Sequence, residues 1–219
     1  MISFNRRFDP NFASLKTAFD GGEIGRGGLP SVTSLDPALP PVSHVRVSCG
    51  FFRDMIIYDF DMWAFLFGLP ERVMTHGSCL ADPAISAAGD VDTAVAVLSY
   101  TDGRLAKIRN SPRAAFGYDQ RAELLGSDGM LSAGNELEST VVKATAAGVD
   151  SAKPVLFFLK RYMRAFAIEW SAFLDACTEG APVPDTLEYG VNALAMAEAA
   201  TRSLAAERPV EAAGLLAGD

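Results

Sequence analysis

The chain is poor in the residues that most often build metal centres and cross-links. It has three cysteines, Cys49, Cys79 and Cys177, and two histidines, His44 and His76. No cysteines stand at a metal-type spacing, and the two histidines, in a Pro-rich loop and a probable strand, are not expected to hold a metal. An odd cysteine count points to free thiols in a reducing, cytoplasmic compartment. Basic residues never cluster beyond a pair, and the formal net charge is −8. Nucleic acid and anionic membrane surfaces are therefore excluded as expected partners. No apolar run approaches the length of a membrane span. The opening "MISFNRRFDP" has twin arginines, but Asp9 and Pro10 follow them instead of an apolar stretch, so no signal peptide is read there. A Gly-x-Ser-x-Gly nucleophile elbow is missing. The glycines of "GGEIGRGG" fail the dinucleotide fingerprint, since Pro30 stands where its third glycine belongs and a helix precedes the stretch. A turn accounts for them, and no cofactor is expected.

What remains is the material of one soluble domain spanning residues 1–219. Hydrophobic residues make up 49% of the chain and charged residues 21%, enough for a substantial core. "ISFNRRF" reads as a short strand. Asp9 followed by Pro10 reads as a capped helix start, and Gly21-Gly22 as its end. The stretch to His44 is loop-like, with four prolines between 30 and 41. "VRVSCG" returns to a strand pattern, and the helix after it should end near Gly68 and Pro70. "ERVMTHGSCL", "TAVAVLSY", "RLAKIRN", "YDQRAELLG" and "ESTVVKAT" read as strands, with Asp102-Gly103 and Ser-Asp-Gly as turns. Two long helices follow Pro154. This order predicts an α+β domain with helices laid on one face of an antiparallel sheet.

The stretch "FFRDMIIYDFDM", residues 51–62, carries too many acids for a plain core helix. Asp54, Tyr58 and Asp61 recur at spacings of four and three and so share one helical face. Asp59 and Asp61, two apart, diverge and make a poor joint metal site. Cys49 beside Gly50 reads either as a reactive thiol at a helix start or as a small packed residue. Arg6 and Arg7 read as solvated charges when taken alone, and Tyr118 as a half-buried sheet aromatic.

Taken together, "FNRRFDPNFASLK", "SLDPALPPVSHVRVSCGFFRDMIIYDFDM", "DPAISAAGDVDTAVAVL" and "NSPRAAFGYDQRAELLGSDGM" resemble the C-terminal half of bacterial inositol 2-dehydrogenases. These belong to the glucose-fructose oxidoreductase/inositol dehydrogenase/MocA family. The resemblance runs through nearly the whole chain. It implies an open, mostly antiparallel sheet with helices on one face, and a homodimer or tetramer formed through the other face. It implies a catalytic helix with an aspartate and, four residues later, a histidine. Asp54 matches that aspartate, Tyr118 a tyrosine near the substrate, and one of Arg6 and Arg7 an arginine at the pocket edge. Asp61 and Cys49 would stand beside them, Cys49 in a "SCG" where the family has "SGG". The resemblance has two departures. The family's N-terminal dinucleotide-binding domain has no counterpart in these residues, and the family histidine is Tyr58. An imidazole takes an alcohol proton near neutral pH far more readily than a phenol does. The leading expectation is a cofactor-independent enzyme of isomerase, lyase or cyclase type, with Asp54 and Tyr58 as its acid/base pair acting on a carbonyl or polyhydroxylated small molecule. One alternative is a binding module or truncated dehydrogenase fragment. Another is the substrate subunit of a split enzyme, with a separate Rossmann-domain chain as partner.

Overall fold

A computed structural model describes residues 1–213 and 215. The chain opens with a 3₁₀ turn over Asn5–Phe8, followed by α1 over Pro10–Asp20. The Asp9 carboxylate caps α1 by accepting from the backbone N–H groups of Asn11 and Phe12, as a Pro at the first helical position favours. Next come β1 (Gly27–Leu35), α2 (Val42–Val45), α3 (Phe51–Asp54) and α4 (Ile57–Phe67). The central stretch alternates β2 (Arg72–Ser78), α5 (Pro83–Ala87), β3 (Thr93–Ser99), β4 (Leu105–Ser111), β5 (Asp119–Gly126) and β6 (Met130–Ala133). A small hairpin of β7 (Val142–Thr145) and β8 (Gly148–Ser151) leads to α6 (Phe158–Thr178), α7 (Leu187–Ala206) and β9 (Val210–Glu211). Among the described residues, no helix is long and apolar enough to cross a membrane.

The main sheet has the order β6-β5-β1-β4-β3-β2-β9. Every neighbouring pair is antiparallel except β1 with β4. The α+β class with helices on one sheet face is therefore the observed one. Alternation puts Ala94, Ala96 and Leu98 of β3 and Ala106 and Ile108 of β4 on the buried face. Phe60, Trp63 and Leu66 of α4 join the same core. On α7 the buried face is made of Ala193, Met196, Ala197 and Ala200, small enough for close approach to α4 and β2. The hairpin between β3 and β4 closes through Tyr100 N–H to the Arg104 carbonyl at 3.1 Å, with Gly103 at φ 87°. That positive φ is the reason for Asp-Gly there.

Three segments depart from the sequence expectations. "ISFNRRF" is a 3₁₀ turn, not a strand. A strand would send Arg6 and Arg7 to opposite faces, whereas both guanidinium groups turn inward to the buried carboxylates of Asp59 and Asp61. "GGLPSVTSL" is the central strand β1 rather than a loop. Pro30 is tolerated because the parallel pairing to β4 begins only at Ser31. "VRVSCG" continues from α2 into a turn, not a strand. Cys49 and Gly50 both have positive φ, 67° and 92°, which reverses the chain ahead of α3.

Candidate functional site

The single helix expected over residues 51–67 is divided. The N–H groups of both Met55 and Ile56 bond to the Phe51 carbonyl, at 3.1 and 3.2 Å, so one turn is loosened between α3 and α4. The start of α3 is capped from outside, where the Asp90 carboxylate accepts the Phe51 N–H at 2.9 Å. Asp54 stands at the other end of this short helix. It closes α3 and turns its carboxylate towards a cavity of about 660 Å³ between α2, α3, the 3₁₀ turn and α6.

Four of the expected residues, Arg6, Asp54, Tyr58 and Tyr118, line this cavity. They come from four separate segments of the chain. Phe51, Phe157, Phe158 and Phe166 supply apolar wall around them. The Arg6 guanidinium is buried, pairs with Asp59 and reaches Ser34 Oγ at 3.3 Å. It also lies 5.5 Å from the centre of the Tyr58 ring, a cation–π placement. Asn110 donates to the other Asp59 oxygen at 2.5 Å, and Ser34 donates to Gln120 at 2.9 Å. The guanidinium is fixed from behind by a buried network, which keeps it charged and immobile.

Arg7, Asp61 and Cys49 do not line the cavity. Arg7 pairs with Asp61 and approaches Asp185 at 3.7 Å, with its guanidinium 4.1 Å from the Tyr189 ring centre. Asp61 is fully buried beneath it, so the polar face of the helix ends for the site at Tyr58. Burial pushes the Asp61 carboxyl up to about 7, against the pull of Arg7. Asp59 and Asp61 diverge as their spacing requires, each to its own arginine. Cys49 stands exposed on the outside of the turn.

Three further cavity residues gave no signal in the sequence. His44, on α2, places Nε2 2.8 Å from Asp54 Oδ2. Asp36 leaves the end of β1, and burial, helped by the Asp59 and Asp54 carboxylates, raises its carboxyl to about 6 against the pull of Arg6. Tyr162 of α6 packs edge to face on Tyr118, ring centres 6.1 Å apart. Its hydroxyl is buried and has no hydrogen-bond partner among the described residues. Burial raises Tyr118 well above the ordinary phenol value and pushes Tyr162 up to about 12, so both stay protonated and can donate. The cavity thus combines hydrogen-bond donors and acceptors with apolar lining, which suits a small ligand rich in hydroxyl groups.

The glycines of "GGEIGRGG" form a turn packed by the chain itself. The Gly25 backbone packs against the Ser127 and Asp128 side chains, and Gly27 packs against the Phe19 ring. Asp128 N–H bonds to the Ile24 carbonyl and Ser127 N–H to the Arg26 carbonyl, both at 3.0 Å. This turn is occupied by its own chain and carries a carboxylate where a pyrophosphate would need donors. Among the described residues, no group of three or more His, Cys, Asp or Glu side chains gathers to hold a metal ion.

Residues 23–212 match the family described as "Oxidoreductase family, C-terminal alpha/beta domain". The chain is 42% identical over 214 residues to an inositol 2-dehydrogenase of Rhizobium meliloti, covering 97% of the chain and 65% of the relative. It is 44% identical over 209 residues to a myo-inositol 2-dehydrogenase of Thermotoga maritima, covering 95% of the chain and 63% of the relative. The fold superimposes on the crystal structure of a myo-inositol dehydrogenase from Corynebacterium glutamicum with a TM-score of 0.92 at 37% identity, covering 96% of this chain and 64% of that one. The chain thus spans somewhat under two thirds of the length of the relatives it matches.

Proposed function

This chain belongs to the glucose-fructose oxidoreductase/inositol dehydrogenase/MocA family, and from that premise we propose that its cavity is the polyol-binding site of a nicotinamide-dependent oxidoreductase. The dinucleotide would be held by residues outside these 219, on the same chain or another. The observation that carries this reading is the convergence of Arg6, Asp54, Tyr58 and Tyr118 on one cavity. An arginine fixed from behind, a carboxylate and phenols suit the alternating donors and acceptors of a cyclic polyol. Tyr162, whose buried hydroxyl has no hydrogen-bond partner among the described residues, lines the same cavity. The dehydrogenase names of the relatives, matched over 95% or more of this chain, favour this reading over a cofactor-independent isomerase, lyase or cyclase.

Assembly belongs to the same proposal. Val95 and Val97 of β3, Leu105 of β4 and Leu125 of β5 point outward from the sheet, each more than a third exposed. A homodimer or tetramer formed through that face would cover them. The three unpaired thiols suit a reducing, cytoplasmic setting.

Calorimetric titration with myo-inositol tests the site. Binding is expected in the wild type and is expected to be lost in Asp54→Asn and Tyr58→Phe, with the melting temperature of both variants nearly unchanged. If the wild type does not bind myo-inositol or scyllo-inositol, the polyol reading fails. If it binds and both variants bind equally well, these two residues have no role in it.

A further inference from the structure

Among the residues that line the cavity, the one imidazole belongs to His44. Its Nε2 stands 2.8 Å from Asp54 Oδ2. The pair is built from two directions. Pro41 precedes α2 and the N–H groups of Val47 and Ser48 both bond to the His44 carbonyl at 2.9 Å, fixing the backbone on one side. The capped start of α3 fixes Asp54 on the other. As a half-exposed ion pair it would contribute at most about 1 kcal/mol to stability, so stability alone gives little reason for so directed a contact.

The other acids on the cavity are differently engaged. Asp90 accepts from Phe51 N–H and Val91 N–H. Asp92 accepts from the N–H groups of Leu80, Ala81 and Asp82. Asp36 stands beside the Arg6 guanidinium, and Tyr58 is a phenol. A carboxylate only accepts, so the neutral His44 ring carries its proton on Nε2 and keeps its lone pair on Nδ1. An imidazole oriented in this way by an acid is a proton acceptor suited to neutral pH.

We propose that His44, oriented by Asp54, takes the proton of the bound polyol's reacting hydroxyl, and that Asp54 acts as its positioning residue. The inference rests on the polyol reading of the cavity. The hydroxyl O–H bond breaks, an N–H bond forms at Nδ1, and the resulting imidazolium stays paired with the Asp54 carboxylate. The electron pair remains on oxygen. Formation of the carbonyl then sends a hydride to an acceptor of the nicotinamide class, which the described residues do not hold.

The chain has two histidines, and His76 lies on β2, exposed and outside the cavity. Imidazole ¹⁵N spectra of the 219-residue chain at about pH 8, above the ordinary imidazole range, therefore give one probe and one internal control. The expected result is a His44 ring protonated at Nε2, whose Nδ1 resonance shifts on saturation with myo-inositol while His76 stays still. In Asp54→Ala the fixed tautomer is expected to give way to a mixture. Three outcomes would overturn the inference while leaving the polyol reading in place: a proton on Nδ1 in the wild type, an Nδ1 resonance unmoved by bound myo-inositol, or an unchanged tautomer in Asp54→Ala. Absence of any myo-inositol or scyllo-inositol binding by calorimetry would overturn both.

Discussion

Tyr162 keeps its hydroxyl buried without a hydrogen-bond partner among the described residues, a condition that costs on the order of 1–3 kcal/mol. Tyr162→Phe is therefore expected to raise the stability of the unliganded chain by on the order of 1 kcal/mol while weakening myo-inositol binding. Thermal melts with and without the polyol check both signs. Asp36 offers a pH test. Its carboxyl is raised to about 6, so the folded chain holds that proton more tightly than the unfolded chain, whose value is about 4. Protons bound to the native state but not to the unfolded one make stability fall as pH rises through that interval. Asp36→Asn should flatten this slope between about pH 4 and 6 and leave the variant more stable at neutral pH by on the order of 1 kcal/mol, after allowance for solvent at the cavity mouth. Denaturant midpoints measured across that range check it. That Asp54 and Tyr58 both line one cavity was legible from their four-residue spacing, although the helix is divided between them. His44 was not, because it meets Asp54 only after Cys49 and Gly50 reverse the chain.

Buried ion pairs join elements that hydrophobic pattern alone does not connect. Arg161 of α6 pairs with Asp9, which also caps α1. Arg7 ties the 3₁₀ turn to Asp61 of α4 and to Asp185 ahead of α7. Removing one partner of such a set strands a charge in the interior, at a cost of about 3–5 kcal/mol. Arg7→Met is expected to lose that much in urea denaturation, and adding Asp61→Asn should recover part of it. A loss under about 1 kcal/mol, typical of a surface pair, would contradict the buried role. The same pairs explain why the first residues were misread. "ISFNRRF" has the composition of a strand, and only the position of Asp59 and Asp61 on a helix more than fifty residues later pulls both arginines inward. β1 was hidden for a related reason. Pro30, Val32 and Ser34 are its buried residues, and a proline with a buried serine satisfied by Arg6 and Gln120 leaves no apolar alternation to read. The hairpin at Asp102-Gly103 and the two long terminal helices were legible because their signals are local.

At the scale of the molecule, one sheet face carries the helices and the other carries apolar side chains outward. Static light scattering at micromolar concentration is expected to give at least a dimer. Val95→Lys together with Val97→Lys, on the exposed side of β3, should shift it to monomer with little loss of melting temperature. The placement of β1 has a kinetic consequence. Ser31 pairs with Lys107 and Val32 with Ala122, and the chain runs straight from that strand into Asp36, whose N–H bonds to the Ser111 carbonyl at 3.0 Å. Pairings so distant along the chain are slow to form. During synthesis β1 and the Asp36 that follows it leave the ribosome well before β4 and β5, the strands that pair with β1 on either side. The part of the cavity wall that begins at Asp36 is therefore expected to close only once β4 and β5 have paired with β1.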